Sequence, residues 1–100
     1  MIYKNPTPDE FEKIISTGKT VVDFWASWCG PCRSQAPIVE KLESEGKVNL
    51  IKINVDEEVE LTARFGIMSI PTLLLYDDGV QVEKFVGLTP IEEIKAAFGD

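Results

Sequence analysis

The chain has no histidine and only two cysteines. A zinc ion takes four ligands, drawn mostly from Cys and His. One copy of this chain cannot supply them from those residue types, so only a zinc site shared between two copies stays open. Two cysteines also exclude a disulfide-stapled scaffold. They are Cys29 and Cys32, and a bridge across two residues closes too small a loop to remove much entropy from the unfolded chain. Basic residues are the minority: 10 Lys and Arg against 17 Asp and Glu leave a net charge of −7. Phosphates are held by Lys and Arg, so nucleic acid and anionic membrane surfaces are poor partners. The acidic surplus reads as a means of staying in solution. No apolar run approaches the ~18 residues of a membrane span, and no apolar segment of the signal-peptide kind opens the chain. No membrane association is expected, and the expected compartment is the cytoplasm. Repeats, linkers and low-complexity segments are missing too. What remains is 100 residues, 44% hydrophobic and 27% charged. That is enough for one core and too little for two, so one domain is expected over residues 1–100.

Helical and strand patterns alternate along the chain. Residues 1–3 read as a short edge strand. Thr7-Pro8-Asp9-Glu10 reads as a capping box with proline at the first helical position. Phe11, Ile14 and Ile15 follow at helical spacing, and Gly18 reads as a stop. Residues 20–26 are apolar on both faces, as in the middle of a parallel sheet. A helix is expected from Pro31 to near Gly46, with Ala36, Val39 and Leu42 inside and a kink at Pro37. Residues 48–55 read as a second buried strand, with Ile51, Ile53 and Val55 on one face. Asp56 is expected to cap a short helix that Gly66 ends. Residues 72–76 and 80–86 read as a hairpin around Asp78-Gly79. Thr89-Pro90-Ile91-Glu92 reads as a second capping box, opening a helix with Ile91, Ile94 and Phe98 on one side. The order βαβαβαββα calls for right-handed parallel crossovers, an antiparallel edge, and helices on both faces of a mixed four- to five-stranded sheet.

Both cysteines lie in Trp28-Cys29-Gly30-Pro31-Cys32, between a strand and a helix. A Cys-x-x-Cys pair in that place suits dithiol/disulfide exchange. The free N–H groups and positive dipole of a helix N-terminus favour a thiolate. Cys29, just outside the helix, reads as the exposed attacking nucleophile. Cys32, on its inner side, reads as the resolving thiol. Gly30 and Pro31 set the strain of the loop and hence tune the potential. Asp23 is a carboxylate in an apolar strand. Burial raises the pKa of such a group, which makes it a candidate proton acceptor for Cys32. The plainer alternative is a hydrogen-bonded structural aspartate.

The segment from Val22 to Cys32 resembles the active-site signature of the thioredoxin family. Ala36-Pro37 is similar to that family's helix kink, residues 52–56 to its central strand, and Ile70-Pro71-Thr72 to its cis-proline loop. Asp78-Gly79 and Val86-Gly87 are similar to its hairpin and the turn that follows. The likeness runs through the whole chain in order. It implies an α/β thioredoxin fold with sheet order 1-3-2-4-5 and four flanking helices. It implies a general protein-disulfide reductase, with no bound cofactor beyond a redox-active Cys29–Cys32 disulfide. The implied partners are disulfide-containing client proteins and an NADPH-dependent thioredoxin reductase, with the chain a monomer. The alternatives are a specialised electron donor to one client and a non-redox binding module. The resemblance places Lys52 near Asp23 as its modulator, against the plainer reading of a snorkelling lysine. It makes Trp28, Ile70, Pro71 and Gly87 the client-docking rim. Pro71 opens an inferred strand where the chain must reverse, which also suits a cis bond. Gly-Pro between the cysteines, with no histidine there, resembles the family's reducing members. Arg33 keeps a charge common at its position, whereas Ser34 and Gln35 replace apolar residues and imply a more polar helix face beside the site.

Overall fold

The computed structural model describes residues 1–99. Among them the elements run β1 (Ile2–Lys4), α1 (Pro8–Ile15), β2 (Lys19–Trp25), α2 (Gly30–Ser44), β3 (Asn49–Asn54), α3 (Val59–Arg64), β4 (Thr72–Asp77), β5 (Val80–Val86) and α4 (Ile91–Ala97). The order is the expected one, with boundaries within about two residues.

One mixed sheet is ordered β1-β3-β2-β4-β5. β1 and β2 run parallel to β3, while β4 runs antiparallel to both β2 and β5. The β4–β5 turn has positive φ at both central residues, 49° at Asp78 and 86° at Gly79. That backbone matches the twist of paired strands, which is why Asp-Gly marks a hairpin. Asp78 is tied down further, since its Oδ1 accepts the Gly18 N–H at 2.7 Å.

Strand alternation sends the two faces of β2 into two cores. Val22 and Phe24 join Ile51, Ile53, Leu74 and Tyr76 beneath α1 and α3, which contribute Phe11, Ile15 and Leu61. Val21 joins Leu50, Leu73 and Leu75 beneath α2 and α4, which contribute Val39, Leu42 and Ile94. Burying both faces explains the near-continuous apolar run of β2. It also puts Asp23, two residues beyond Val21, on the face covered by α2.

The first capping box forms as expected. Thr7 Oγ1 accepts the Glu10 N–H at 3.2 Å, and Glu10 Oε1 accepts the Thr7 N–H at 2.8 Å. The other two expected caps do not form. Glu58 occupies the N-cap of α3 without a side-chain bond. Asp56 is already engaged by Trp28. Pro90 is the N-cap of α4, and it has no side chain able to accept. Thr89 turns its hydroxyl back to donate to the Gly87 carbonyl at 3.0 Å instead. Pro37 lies inside α2 as expected.

Candidate functional site

The site begins where β2 runs out. Beyond Trp25 the chain turns, and the Cys29 N–H donates to the Ala26 carbonyl at 3.2 Å. Cys29 is then the N-cap of α2, and its sulfur accepts the Cys32 N–H at 3.2 Å. A thiol at an N-cap faces donors that no backbone carbonyl satisfies, so its anion is stabilised there. Gly30 is the first helical residue and Pro31 the second, one position later than expected for the proline. Proline fits either place because neither N–H would have an intrahelical partner. Cys29 and Cys32 are disulfide-bonded, with Cα atoms 5.3 Å apart. In this oxidised state Cys29 is 5% exposed and Cys32 3%. Burial does not separate them, contrary to the reading of an exposed and a hidden thiol. Their surroundings do: Cys29 caps the helix, while Cys32 lines a partly open pocket behind it.

The expected docking residues gather around the disulfide. Trp28 is 68% exposed, and its indole N–H donates to Asp56 Oδ2 at 2.8 Å. The Ile70–Pro71 bond is cis. Ile70 packs against Ala26, Cys29 and Cys32, with its carbonyl oxygen 3.9 Å from the Cys29 sulfur. The Gly87 N–H donates to the Pro71 carbonyl at 2.8 Å, and Gly87 has φ +95°, a region L side chains rarely adopt. A shallow groove of about 290 Å³ runs beside Trp28, lined also by Val55, Thr62, Ile67, Met68 and Ile70. Met68 is 96% exposed and was not anticipated. Its only signal was an apolar residue in the loop before Pro71.

Behind the disulfide lies a cavity of about 280 Å³, whose lining includes Asp23, Trp25, Cys32, Arg33, Ala36 and Lys52. Asp23 is fully buried. Among the described residues, neither of its carboxyl oxygens has a hydrogen-bond partner. No protein group among the described residues supplies the hydrogen bonds of a structural aspartate. Desolvation pushes its pKa from 3.8 up to about 7, with Lys52 opposing the rise and Glu40 adding to it. Lys52 lies directly opposite Asp23 in the β2–β3 register. Its ammonium nevertheless pairs with Glu40 Oε2 at 2.8 Å and sits 5.5 Å from the Trp25 ring centre.

The polar face expected from Ser34 and Gln35 is only half there. Ser34 is exposed, but Gln35 is fully buried. Its Nε2 donates to the Thr89 carbonyl at 3.0 Å, and its Oε1 accepts the Thr89 N–H at 2.8 Å. An amide can satisfy a backbone donor and acceptor together, so it substitutes for an apolar residue without an orphaned group. This clasp ties the first turns of α2 to the loop that carries Gly87. Nothing local in the sequence announces it, since the two residues are 54 positions apart.

Among the described residues, no group of three or more His, Cys, Asp or Glu side chains could hold a metal ion. No helix there is long and apolar enough to cross a membrane.

The family model for thioredoxin matches residues 3–99. A thioredoxin of Staphylococcus saprophyticus is 46% identical over 90 residues, covering 88% of this chain and 86% of the relative. One of Alicyclobacillus acidocaldarius is 46% identical over 97 residues, covering 94% and 92%. Among solved structures, a mutant thioredoxin of Halobacterium salinarum superposes with a TM-score of 0.87 at 35% identity, covering 95% of this chain and 85% of that one.

Proposed function

The chain belongs to the thioredoxin family, and from that premise we propose how its residues divide the work of disulfide reduction. The protein is a thiol–disulfide oxidoreductase that reduces protein disulfides. In the reduced form, the Cys29 thiolate attacks one sulfur of a client disulfide. A Cys29–client bond forms, the client S–S bond breaks, and the second client sulfur leaves as a thiolate. Cys32 then gives its proton to the Asp23 carboxylate and attacks the Cys29 sulfur. The Cys29–Cys32 bond forms and the client departs with both sulfurs reduced. Two electrons have passed to the client, and a reductase must return them.

The observation that carries this reading is the Cys29 sulfur at the N-cap of α2, accepting the Cys32 N–H. The free N–H groups and the helix dipole at that N-cap favour a thiolate. The Asp23 role is supported by its burial, its unpaired oxygens and its place on the same cavity as Cys32. Gly30 and Pro31 shape the loop between the sulfurs. Trp28, Ile70, Pro71 and Gly87 form the rim on which an extended client segment lies. Lys52 tempers the charge of Asp23.

The electrons reside in the cysteines themselves, so the cycle needs no bound cofactor. The regenerating partner we assign is an NADPH-dependent thioredoxin reductase. Both sulfurs come from one chain, so a monomer suffices. A net charge of −7 argues against nucleic acid and anionic membranes. The compartment we assign is the cytoplasm, whose reducing poise keeps a dithiol reduced.

Insulin provides the test. A catalytic amount of the protein with dithiothreitol is expected to precipitate insulin B chain far faster than dithiothreitol alone. Replacement of either cysteine by serine is expected to abolish that acceleration. Full acceleration by Cys29→Ser would remove Cys29 from its role.

A further inference from the structure

Lys52 has two carboxyl groups within its surroundings and pairs with only one. Asp23 is its register partner on the adjacent strand, yet the ammonium bonds Glu40 on α2. The choice follows from hydration. The Glu40 side chain is 44% exposed and stays hydrated, whereas Asp23 is buried and no protein group bonds its carboxyl oxygens, so charge is costlier there. The Lys52 side chain is only 14% exposed, so its ammonium requires a partner.

We propose that Glu40 is a positioning residue: its carboxylate holds the Lys52 ammonium off Asp23 and so leaves the Asp23 carboxyl unpaired in the cavity it shares with Cys32. The proposal rests on the reading of Asp23 as the proton acceptor for Cys32. A carboxylate locked to an ammonium is a weak base, because the pair favours the charged form. The groups around Asp23 are few. β3 offers Lys52, and α2 offers Glu40, Cys32 and Arg33. The Arg33 guanidinium is turned to the Ser27 carbonyl at 3.2 Å. β4 offers apolar Leu73, and β2 itself the Trp25 indole. Glu40 is thus the one negative charge in this set besides Asp23. Its effect on Asp23 is direct, by repulsion, and indirect, by occupying Lys52. The repulsion raises the Asp23 pKa, while Lys52 still lowers it; a Lys52 freed from Glu40 would lower it further.

The test is Glu40→Gln, made alone and together with Asp23→Asn. Glu40 is a half-buried residue on the outer part of α2, and glutamine preserves its shape, so folding is not at risk. The titration of the Asp23 carboxyl carbon is followed by NMR in the oxidised proteins. In parallel, the reduced proteins react with 5,5′-dithiobis(2-nitrobenzoate), and the second release of aromatic thiolate, which reports the attack of Cys32 on Cys29, is timed against pH. In Glu40→Gln the Asp23 midpoint is expected to fall by about one pH unit, the low end of the effect of an adjacent opposite charge. The pH limb of the second release is expected to move with it. In the double variant that limb is expected to be the same as in Asp23→Asn alone. An Asp23 midpoint that stays put or rises overturns the proposal. A midpoint that falls while the rate limb stays supports the placement of Lys52 by Glu40 and removes Asp23 as the acceptor.

Discussion

Asp23→Asn should stabilise the oxidised protein increasingly as pH rises. In the unfolded chain the Asp23 carboxyl ionises at its ordinary value of 3.8; in the folded protein burial holds it neutral up to about 7. Between these values the folded state carries the extra proton, so stability is present in full below the lower value and is lost as pH climbs toward the upper one. At about 1.4 kcal/mol per unit, the full loss is about 4 kcal/mol above pH 7. At pH 5 only about 1.6 kcal/mol of it has gone. Asparagine nearly matches the shape and does not titrate. It brings its own cost as a buried amide without partners, but that cost is the same at every pH. The difference between variant and wild type should therefore shift in the variant's favour by about 2.5 kcal/mol between pH 5 and pH 8. Urea unfolding of both oxidised proteins at the two pH values measures this. Keeping the disulfide intact removes the thiols from the titration. A difference in stability that is the same at pH 5 and pH 8 would refute the argument, because it would mean that Asp23 ionises alike in the folded and unfolded chains.

Gln35→Ala should cost about 3 kcal/mol or more, since it opens a cavity and leaves the Thr89 N–H and C=O unpaired in a buried place; the urea midpoint reads it, and an unchanged midpoint would mean that water restores both bonds. Brief iodoacetamide labelling of the reduced protein near neutral pH should fall on Cys29 before Cys32, because only Cys29 caps the helix; mass spectrometry decides, and predominant label on Cys32 would reverse the roles. Trp28→Ala should raise KM for insulin about tenfold, as expected for an exposed aromatic anchor at the rim, with the potential of the Cys29–Cys32 couple left in place; an unaltered KM would take Trp28 out of docking.

What the sequence made legible was whatever depends on short-range pattern. The apolar run from Val21 to Trp25, the Thr7–Glu10 box and the Asp78-Gly79 turn each carry a local physical cause, and each appears as expected. The cysteine pair was legible for the same reason, because its chemistry depends on a spacing and a helix start. Asp23 stood out as a charge in an apolar strand. Most of the features that were missed are long-range pairings. Gln35 looked like a surface residue because its partners are the backbone atoms of Thr89, and backbone leaves no mark in a sequence. Asp56 looked like a cap until Trp28 claimed it. Thr89-Pro90 looked like a box, but the N-cap fell on the proline. Glu40 carried no signal, since its meaning lies in which of two carboxyl groups Lys52 chooses.

The ordered exchange is tested most directly by trapping the covalent intermediate. Cys32→Ser and Cys29→Ser proteins would each be incubated with a disulfide-containing client and analysed by non-reducing electrophoresis and peptide mass spectrometry. The account predicts that Cys32→Ser accumulates a mixed disulfide joining Cys29 to a client cysteine, because attack proceeds and resolution cannot, and that Cys29→Ser accumulates little. Equal trapping by both variants, or a client linked mainly through Cys32, would contradict it.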